Sequence, residues 1–308
     1  MSGGHLRIGL DIGGTKTDAV LIDDEDAIRH RVRSATSWGP AGVIDTAVRA
    51  VEELTELSGA GAADIVSVGV GVPGQVGEGG AVRHAVNLGV EDLDLATILR
   101  ERTGHPVVVE NDVKAAALGA ARILGATGSF VYLNLGTGVA AGHVLDGRLH
   151  RGRRGTAGEV GHIAVDPEGH ACRCGQRGCI ETLAGGAYVA ERWGQVSDYP
   201  VLAVFDAADR GDELALRIRD GIARGVACAL TVLTLSVDPD RLVVGGGVTA
   251  LGERLVEAVR LELRTSAAGS DFLASLDLAS GIDLLPRALP AAAFGAAIVA
   301  DREGADVH

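Results

Sequence analysis

Two apolar hairpins, each closed by a glycine-containing turn, dominate the hydrophobic pattern of the chain. Leu6–Leu10 and Ala19–Ile22 are apolar runs on either side of a polar turn. Val131–Leu135 and Val139–Leu145 repeat this pattern about 125 residues later. Short apolar runs bounded by glycine are typical of buried strands. The repeat distance is too long for a solenoid and favours a duplicated domain.

Strands and helices alternate after each hairpin. Val66–Val72 and Pro106–Glu110 are further apolar runs rich in β-branched residues, and Val113–Leu124 is an alanine-rich amphipathic stretch. This alternation predicts an α/β architecture. The 308 residues are many for one domain and sufficient for two.

The two hairpin turns carry candidate phosphate-binding groups. Their sequences are Gly13-Gly14-Thr15 and Gly136-Thr137-Gly138. Glycine has no Cβ, so its backbone N–H can approach a phosphate oxygen, and threonine adds a hydroxyl donor. Each turn alone is more typical of an ordinary hairpin, but two matched copies and a third glycine run, Gly245–Gly247, favour a nucleotide site. The spacing matches neither a P-loop nor a dinucleotide fingerprint.

Two carboxylates follow predicted strands, where open α/β sheets bind ligands. Asp112 stands between a strand and the N-terminus of a helix, and an N-cap is the ordinary alternative for it. An ionised Asp112 can accept the proton of a substrate hydroxyl, with Asn111 as a hydrogen-bonding neighbour. Asp11 ends the first strand and can hold Mg²⁺ through water. Lys16 either neutralises phosphate charge or faces solvent.

Two further positions are candidates for substrate binding. Gly71 precedes the Pro73-Gly74 bend, which brings backbone to the same edge of the sheet. Asn87 begins an isolated polar loop, for which an Asx turn is the ordinary interpretation. Its side-chain amide can alternatively bind sugar hydroxyls.

Three of the four cysteines form a candidate metal site. Cys172, Cys174 and Cys179 have a C-x-C-x4-C spacing, and His162 lies a short distance upstream. Three thiolates and one imidazole complete a tetrahedral zinc shell without an open position, so the metal would be structural. A disulfide framework is typical of small secreted chains and does not suit this sequence. Zinc would fix the neighbouring carboxylates Glu159 and Glu181.

Charge and hydropathy exclude several classes of protein. The formal net charge of −13 repels nucleic acid and anionic membranes. No uninterrupted apolar run reaches the ~18 residues that a membrane-spanning helix needs, and the polar N-terminus does not resemble a signal peptide. With reduced cysteines, these features predict a cytoplasmic protein.

The order of the motifs resembles the ROK family of sugar kinases, in the actin/hexokinase superfamily. The resemblance runs from about Ile8 to Val299. It implies that Asp112 deprotonates a sugar hydroxyl, that MgATP supplies the phosphoryl group, and that the chain forms a homodimer. Nucleotide-binding residues would be Asp11, Gly13, Gly14, Thr15, Lys16, Gly136, Thr137, Gly138, Gly245, Gly246 and Gly247. Sugar-binding residues would be Asn87, Asn111, Glu159, His162 and Glu181, with His162 shared with zinc.

The resemblance also implies two ribonuclease H-like lobes around a central cleft, with a structural zinc loop. We predict a small lobe of residues 1–114 completed by a helix at 291–308, and a large lobe of residues 115–290. The predicted function is an ATP-dependent hexose kinase acting on O6 of glucose. N-acetylglucosamine, N-acetylmannosamine, mannose and fructose are alternative substrates, polyphosphate is an alternative donor, and a non-catalytic sugar sensor is the rival class. Val90 and Lys114 replace a Trp and an Asn that are common in the family.

Overall fold

The computed structural model describes residues 5–304, which form two compact units. The first unit comprises the chain up to Thr127, Gly142–Ala157 and the chain from Pro290 onwards, and the second comprises Gly128–Ala141 and Gly158–Leu289. The first unit extends past the predicted lobe boundary at residue 114, because that boundary falls inside a continuous helix. Residues 1–4, and residues 305–308 of the predicted C-terminal helix, lie outside the described residues.

The strands confirm the α/β prediction. Their bounds are β1 (Leu6–Ile12), β2 (Lys16–Ile22), β3 (Ile28–Ala35), β4 (Ile65–Val72), β5 (Gln75–Val76), β6 (Ala81–Ala85), β7 (Val90–Asp94), β8 (Val107–Asn111), β9 (Ser129–Leu135), β10 (Val139–Leu145), β11 (Arg148–His150), β12 (Arg241–Gly245) and β13 (Asp283–Leu284). β2 begins three residues before the predicted start, because polar residues at its beginning pair with β1 and β3.

The two larger sheets repeat one topology. Their strand orders are β3-β2-β1-β4-β8 and β11-β10-β9-β12-β13, and β5, β6 and β7 form a separate small sheet. In each larger sheet the hairpin strands are followed by a parallel strand, β4 in one and β12 in the other. The matching order supports the duplication that was expected from the sequence.

The helices are α1 (Gly39–Ser58), α2 (Leu95–Thr103), α3 (Asp112–Ile123), α4 (Ile180–Ala184), α5 (Gly186–Trp193), α6 (Pro200–Asp209), α7 (Glu213–Val237), α8 (Glu253–Ala267), α9 (Asp271–Ser275) and α10 (Ala291–Gly304). Short 3₁₀ turns include Val86–Leu88, Val160–His162 and Gly247–Leu251. The last of these directly precedes Gly252 and helix α8.

The core of the first unit depends on close contact between α10 and the sheet. A methyl group built at Gly69 of β4 would overlap the Ala296 carbonyl, and one built at Gly295 would overlap the Ala115 carbonyl of α3. Small residues on both sides therefore let the backbones touch, which explains part of the high glycine content. α3 also contacts Gly142, whose segment groups with the first unit.

α7 is the longest helix in the part of the chain that the structure describes. This helix of 25 residues is long and apolar enough to cross a membrane by length and composition alone, which the search for uninterrupted apolar runs overlooked. Half of its most apolar window is buried. Ile222, Val226 and Leu230 belong to the hydrophobic core of the second unit, so α7 is its central helix. Cys228, on the same helix, is half-buried.

Candidate active site

The first glycine turn joins β1 to β2 and lies against the loop that contains Asn87. The Gly13 N–H donates to the Lys16 carbonyl over 3.0 Å and closes the turn. A methyl group built at Gly14 would lie 2.7 Å from the Asn87 carbonyl oxygen. Gly14, Thr15 and Lys16 are exposed. The turn therefore presents its backbone beside Asn87, so the candidate phosphate-binding and sugar-binding residues are neighbours here.

Asp11, Gly71 and Asp112 meet at neighbouring strand ends of the first unit. Asp11 pairs in register with Gly71 across β1 and β4, and a methyl group at Gly71 would lie 3.5 Å from the Asp112 Cα. Burial, and then the carboxylates of Asp112 and Asp18, raise the pKa of Asp11 to about 7, against the opposing charge of Lys16. A divalent cation would offset this concentrated negative charge, so these residues fit Mg²⁺.

Asn111, and not Asp112, caps helix α3. Its Oδ1 accepts hydrogen bonds from the backbone N–H groups of Val113 (3.1 Å) and Lys114 (3.2 Å), and its Nδ2 donates to the Gly74 carbonyl at 3.2 Å. The extended backbone of Asn111 has the N-cap conformation. Asp112 is thus the first residue of the helix.

Two buried charges flank this corner, and the sequence did not identify either role. Glu110 is 5% exposed. It accepts the Asn111 N–H at 2.8 Å and forms an ion pair with Arg151. Lys114 is 4% exposed and donates its Nζ to the Gly155 carbonyl. Both contacts fix the 151–155 loop beside Asp112.

The second glycine turn is held by helices α4 and α5. Gly186 and Ala187, at the start of α5, donate to the carbonyls of Gly136 and Thr137 at 2.9 and 3.0 Å. Glu181 of α4 accepts the Val139 N–H on its Oε2 at 2.9 Å. One carboxylate oxygen of Glu181, which was predicted to bind sugar, is therefore hydrogen-bonded to the strand that follows the second glycine turn.

The third glycine run lies beside this second turn. Gly246 has a φ of +91°, and a methyl group on it would lie 2.5 Å from the Leu135 carbonyl oxygen. Leu135 directly precedes Gly136. Gly245 is buried and Gly247 is exposed. The second unit thus brings together the two glycine segments expected to bind phosphate and adenosine.

The predicted zinc ligands converge in the second unit. The ligand atoms of His162, Cys172, Cys174 and Cys179 all lie within 4.8 Å of one another. The Cys174 and Cys179 sulfurs are 3.7 Å apart, as are the Cys172 Sγ and the His162 Nδ1. A tetrahedron with Zn–S bonds of 2.3 Å has edges of about 3.8 Å. The donor set therefore fits a closed zinc shell.

Two residues that contact the thiols were not predicted from the sequence. Gln176 Nε2 donates to the His162 carbonyl at 3.0 Å and contacts the Cys174 sulfur, and it lowers the pKa of that thiol to about 6. Tyr188 of α5 donates its hydroxyl to the Cys172 sulfur at 3.7 Å. Gln176 was visible inside the C-x4-C spacing, whereas nothing in the local sequence indicated Tyr188.

Close backbone approach explains the glycines of the Gly158–His162 segment. A methyl group at Gly158 would overlap the Ala141 carbonyl, and one at Gly161 would overlap the Val139 carbonyl. The Gly158 carbonyl accepts the Ala141 N–H at 2.7 Å. This segment therefore packs directly on β10 and carries an exposed Glu159 close in sequence to the candidate metal ligand His162.

Comparison with known proteins assigns the family. The model of the ROK family matches residues 7–300, nearly the whole chain. The chain belongs to the ROK family. It is 34% identical over 275 residues to a glucokinase of Halalkalibacterium halodurans, covering 82% of this chain and 83% of that one. It is also 34% identical over 258 residues to an N-acetylmannosamine kinase of Citrobacter koseri, covering 82% and 87%.

Solved structures agree with this ROK assignment. A ROK hexokinase from Thermus thermophilus has a TM-score of 0.79 and 33% identity, covering 98% of this chain and 99% of that one. A ROK glucokinase from Streptomyces griseus in complex with glucose and AMPPNP has a TM-score of 0.78 and 31% identity, covering 96% and 99%. The chain is thus a ROK sugar kinase with the actin/hexokinase fold.

Each unit of this ROK kinase contains part of the predicted site. The first unit contains Asp11, Gly13, Gly14, Thr15, Lys16, Gly71, Asn87, Asn111 and Asp112. The second unit contains Gly136, Thr137, Gly138, Glu159, His162, Cys172, Cys174, Cys179, Glu181, Gly245, Gly246 and Gly247.

Proposed function

We propose that this protein is an ATP-dependent glucokinase that transfers the γ-phosphoryl group of MgATP to O6 of glucose. The observation that carries the proposal is the position of Asp112 at the N-terminus of α3, beside Asp11 at the end of β1. Glucokinases among the relatives, and the S. griseus complex with glucose and AMPPNP, support the choice of donor and sugar.

In the proposed mechanism Asp112 accepts the proton of the sugar hydroxyl as that oxygen attacks the γ-phosphorus. The bond from phosphorus to the β–γ bridging oxygen breaks, and ADP leaves. Asp11 would hold Mg²⁺, which would neutralise phosphate charge, and the backbone N–H groups of the glycine turns would bind phosphate oxygens. Positioning and charge neutralisation supply most of the rate in phosphoryl transfer.

The proposed sugar ligands combine amides, carboxylates and one imidazole. Asn87 and Asn111 present amide groups. Glu159 and His162 lie just before the clustered cysteines in sequence, and Glu181 lies just after them. Zinc bound through the His162 Nδ1 would leave Nε2 available to a sugar hydroxyl. The metal would fix these segments and would take no part in the chemistry.

N-acetylmannosamine kinase is the second candidate function, because a relative of that name is as similar to this chain as the first glucokinase. The test measures ADP release by the zinc-loaded protein with MgATP and glucose, mannose, fructose, N-acetylglucosamine or N-acetylmannosamine. A kcat/KM highest for glucose supports the proposal. A preference for another sugar corrects the substrate. Binding of a sugar without turnover of any would replace the kinase with a sugar sensor.

Two further properties belong to the proposal. We expect a homodimer, because the family resemblance implies one, and sedimentation analysis of the purified chain tests it. A monomer at working concentration would contradict it. We also expect the enzyme in the cytoplasm, where ATP and reduced thiols are available.

A further inference from the structure

Trp38 occupies an unusual position at the start of α1. It is the N-cap residue, yet its side chain makes no capping hydrogen bond, and Ser, Thr, Asp or Asn ordinarily fill that position. The side chain is 70% exposed. A large aromatic residue that neither caps its helix nor enters the core needs another explanation.

The indole of Trp38 covers Gly89, which ends the turn containing Asn87. A methyl group built at Gly89 would lie 2.5 to 2.7 Å from the indole atoms Cε2, Nε1 and Cζ2. Gly89 is left-handed, with a φ of +67°, and its N–H donates to the Val86 carbonyl at 3.1 Å. The ring therefore packs on the backbone that closes this turn.

The turn has few supports of its own. It is a 3₁₀ helix of only three residues, Val86–Leu88, and such short turns have weak hydrogen-bond geometry. Asn87 is exposed, and Val86 is 73% exposed. Leu88 is buried and anchors the turn in the hydrophobic core. Trp38 packs on the Gly89 end of the turn.

The segment that carries Trp38 is also tied to the first phosphate turn. The Thr36 N–H donates to the Thr15 carbonyl at 3.1 Å. The hydroxyls of Thr36 and Thr17 are hydrogen-bonded at 2.9 Å. The Asn87 carbonyl also lies against Gly14. The first glycine turn, the segment that carries Trp38 and the Asn87 turn therefore each contact the other two.

We propose that Trp38 is a positioning residue for the sugar substrate. Its ring holds the Asn87 turn at a fixed place beside Gly14, so that the Asn87 amide meets a hydroxyl of the hexose while the phosphate turn holds the nucleotide. Preorganised polar groups bind and orient substrate better than mobile ones. The inference rests on the proposed function, because it takes Asn87 as a sugar ligand.

The kinetic test compares Trp38→Ala and Trp38→Phe with the parent enzyme, using the sugar of highest kcat/KM. We expect Trp38→Ala to raise the sugar KM about tenfold and to change kcat less than about threefold, because ground-state binding is lost. Trp38→Phe keeps a flat ring and should recover part of the loss. Phe272→Ala removes another exposed aromatic side chain, in α9, and is the matched control.

Fluorescence gives a second readout that does not depend on turnover. The chain has two tryptophans, and Trp193 is 5% exposed. We expect sugar to change the Trp38 emission saturably. Trp193→Phe leaves Trp38 as the only tryptophan, and the difference spectrum between the parent and Trp38→Phe gives the Trp38 emission independently. A Trp38 emission that does not respond to saturating sugar overturns the inference.

A double-mutant cycle tests the contact itself. Gly89→Ala places a methyl group against the ring and strains a left-handed residue. Removal of the ring should make Gly89→Ala less harmful to the sugar KM, so the two changes should be clearly non-additive. Additive losses would overturn this inference and leave the proposed function unaffected. An unchanged sugar KM in Trp38→Ala would do the same. A parent enzyme that phosphorylates no sugar would instead contradict the proposed function.

Discussion

At the scale of single residues, Asp112, which we propose as the base, is not the cap of its helix. Asn111 fulfils the capping role with its own side chain, so the Asp112 carboxylate is not required to satisfy the N-terminal amides. The Val113 N–H, which donates to the Asn111 Oδ1, also donates to the Asp112 Oδ1 at 2.9 Å. Replacement of Asp112 should therefore separate chemistry from stability.

We expect Asp112→Asn to lower kcat by about 100- to 10,000-fold, because it removes the proton acceptor. Sugar affinity and melting temperature should change little, since the amide has the same shape. ADP release, sugar titration and thermal unfolding measure the three quantities. Asp146→Asn, at an exposed turn, is the control. Near-normal turnover by Asp112→Asn would remove Asp112 from this role.

Asp11 should destabilise the protein as the pH rises. Its folded pKa of about 7 exceeds the ordinary value of 3.8. Between about pH 4 and pH 7 the unfolded chain has released this proton while the folded chain retains it, so stability decreases with increasing pH. A pKa raised from 3.8 to about 7 corresponds to at most about 4 kcal/mol of stability. Asp11→Asn removes this cost.

The expected result is a melting temperature for Asp11→Asn that exceeds that of the parent by more at pH 8 than at pH 5. Thermal unfolding without added Mg²⁺ or nucleotide measures it. Catalysis should fall in the same variant, because the Mg²⁺ ligand is lost. A gain in melting temperature that is the same at both pH values would contradict the raised pKa of Asp11. A melting temperature below that of the parent at pH 8 would contradict it as well.

Residue identity was predictable where chemistry is local. Asp112, Asn111 and the three clustered cysteines could be selected as candidates because their types and spacing limit what they can do. Trp38, Glu110 and Tyr188 could not, because their roles depend on contacts with residues distant in sequence, such as the Arg151 side chain that pairs with Glu110. A single sequence carries no signal for such pairs.

At the scale of elements, α4 and α5 link the zinc segment to the second phosphate turn. α4 begins directly after Cys179, and Glu181 reaches the Val139 N–H. The start of α5 donates to the carbonyls of the turn itself. Glu181 should therefore influence the nucleotide as well as the sugar.

We expect Glu181→Ala to raise the KM for ATP about tenfold, because it removes a charge-assisted hydrogen bond that holds the turn. The sugar KM should also rise. Glu159→Ala is the matched control, since Glu159 is exposed and should affect the sugar KM without changing the KM for ATP. Steady-state kinetics with each substrate varied measures both values. An unchanged KM for ATP in Glu181→Ala would contradict the link.

Element types were predictable from hydrophobic periodicity, but their ends were not. β10 occupies the predicted bounds, whereas β1 and β2 extend into the polar residues around the first turn. There the pairing of backbone groups decides the strand ends, and side-chain hydropathy gives no indication of it. α7 shows the opposite effect, because charged residues within it interrupted the apolar run while the helix continued.

At the scale of the whole molecule, the duplicated sheet topology provides two glycine turns, but only one copy carries the carboxylates. Asp11 is the second-last residue of β1, whereas Asn134 is at the corresponding position in β9. The second copy instead contains the thiol cluster and Glu181. The two copies therefore have different supports for similar turns, and loss of the metal should act on the second.

We expect one zinc ion per chain by elemental analysis. Its removal with a chelator, or Cys174→Ser, should lower the melting temperature and abolish most turnover, because Glu159, Glu181 and the second phosphate turn lose their fixed positions. Cys228→Ser is the control, since the Cys228 thiol lies in α7 outside the cluster. Readdition of Zn²⁺ should restore activity to the chelated parent enzyme.

Mg²⁺ complicates this measurement, because a chelator also removes the ion that accompanies ATP. The assay must therefore contain excess Mg²⁺ after the chelator has been dialysed away, and Cys174→Ser needs no chelator at all. A purely structural metal predicts parallel losses of stability and activity. Zinc-free protein that binds and phosphorylates sugar normally would show that the fold alone holds these side chains in place.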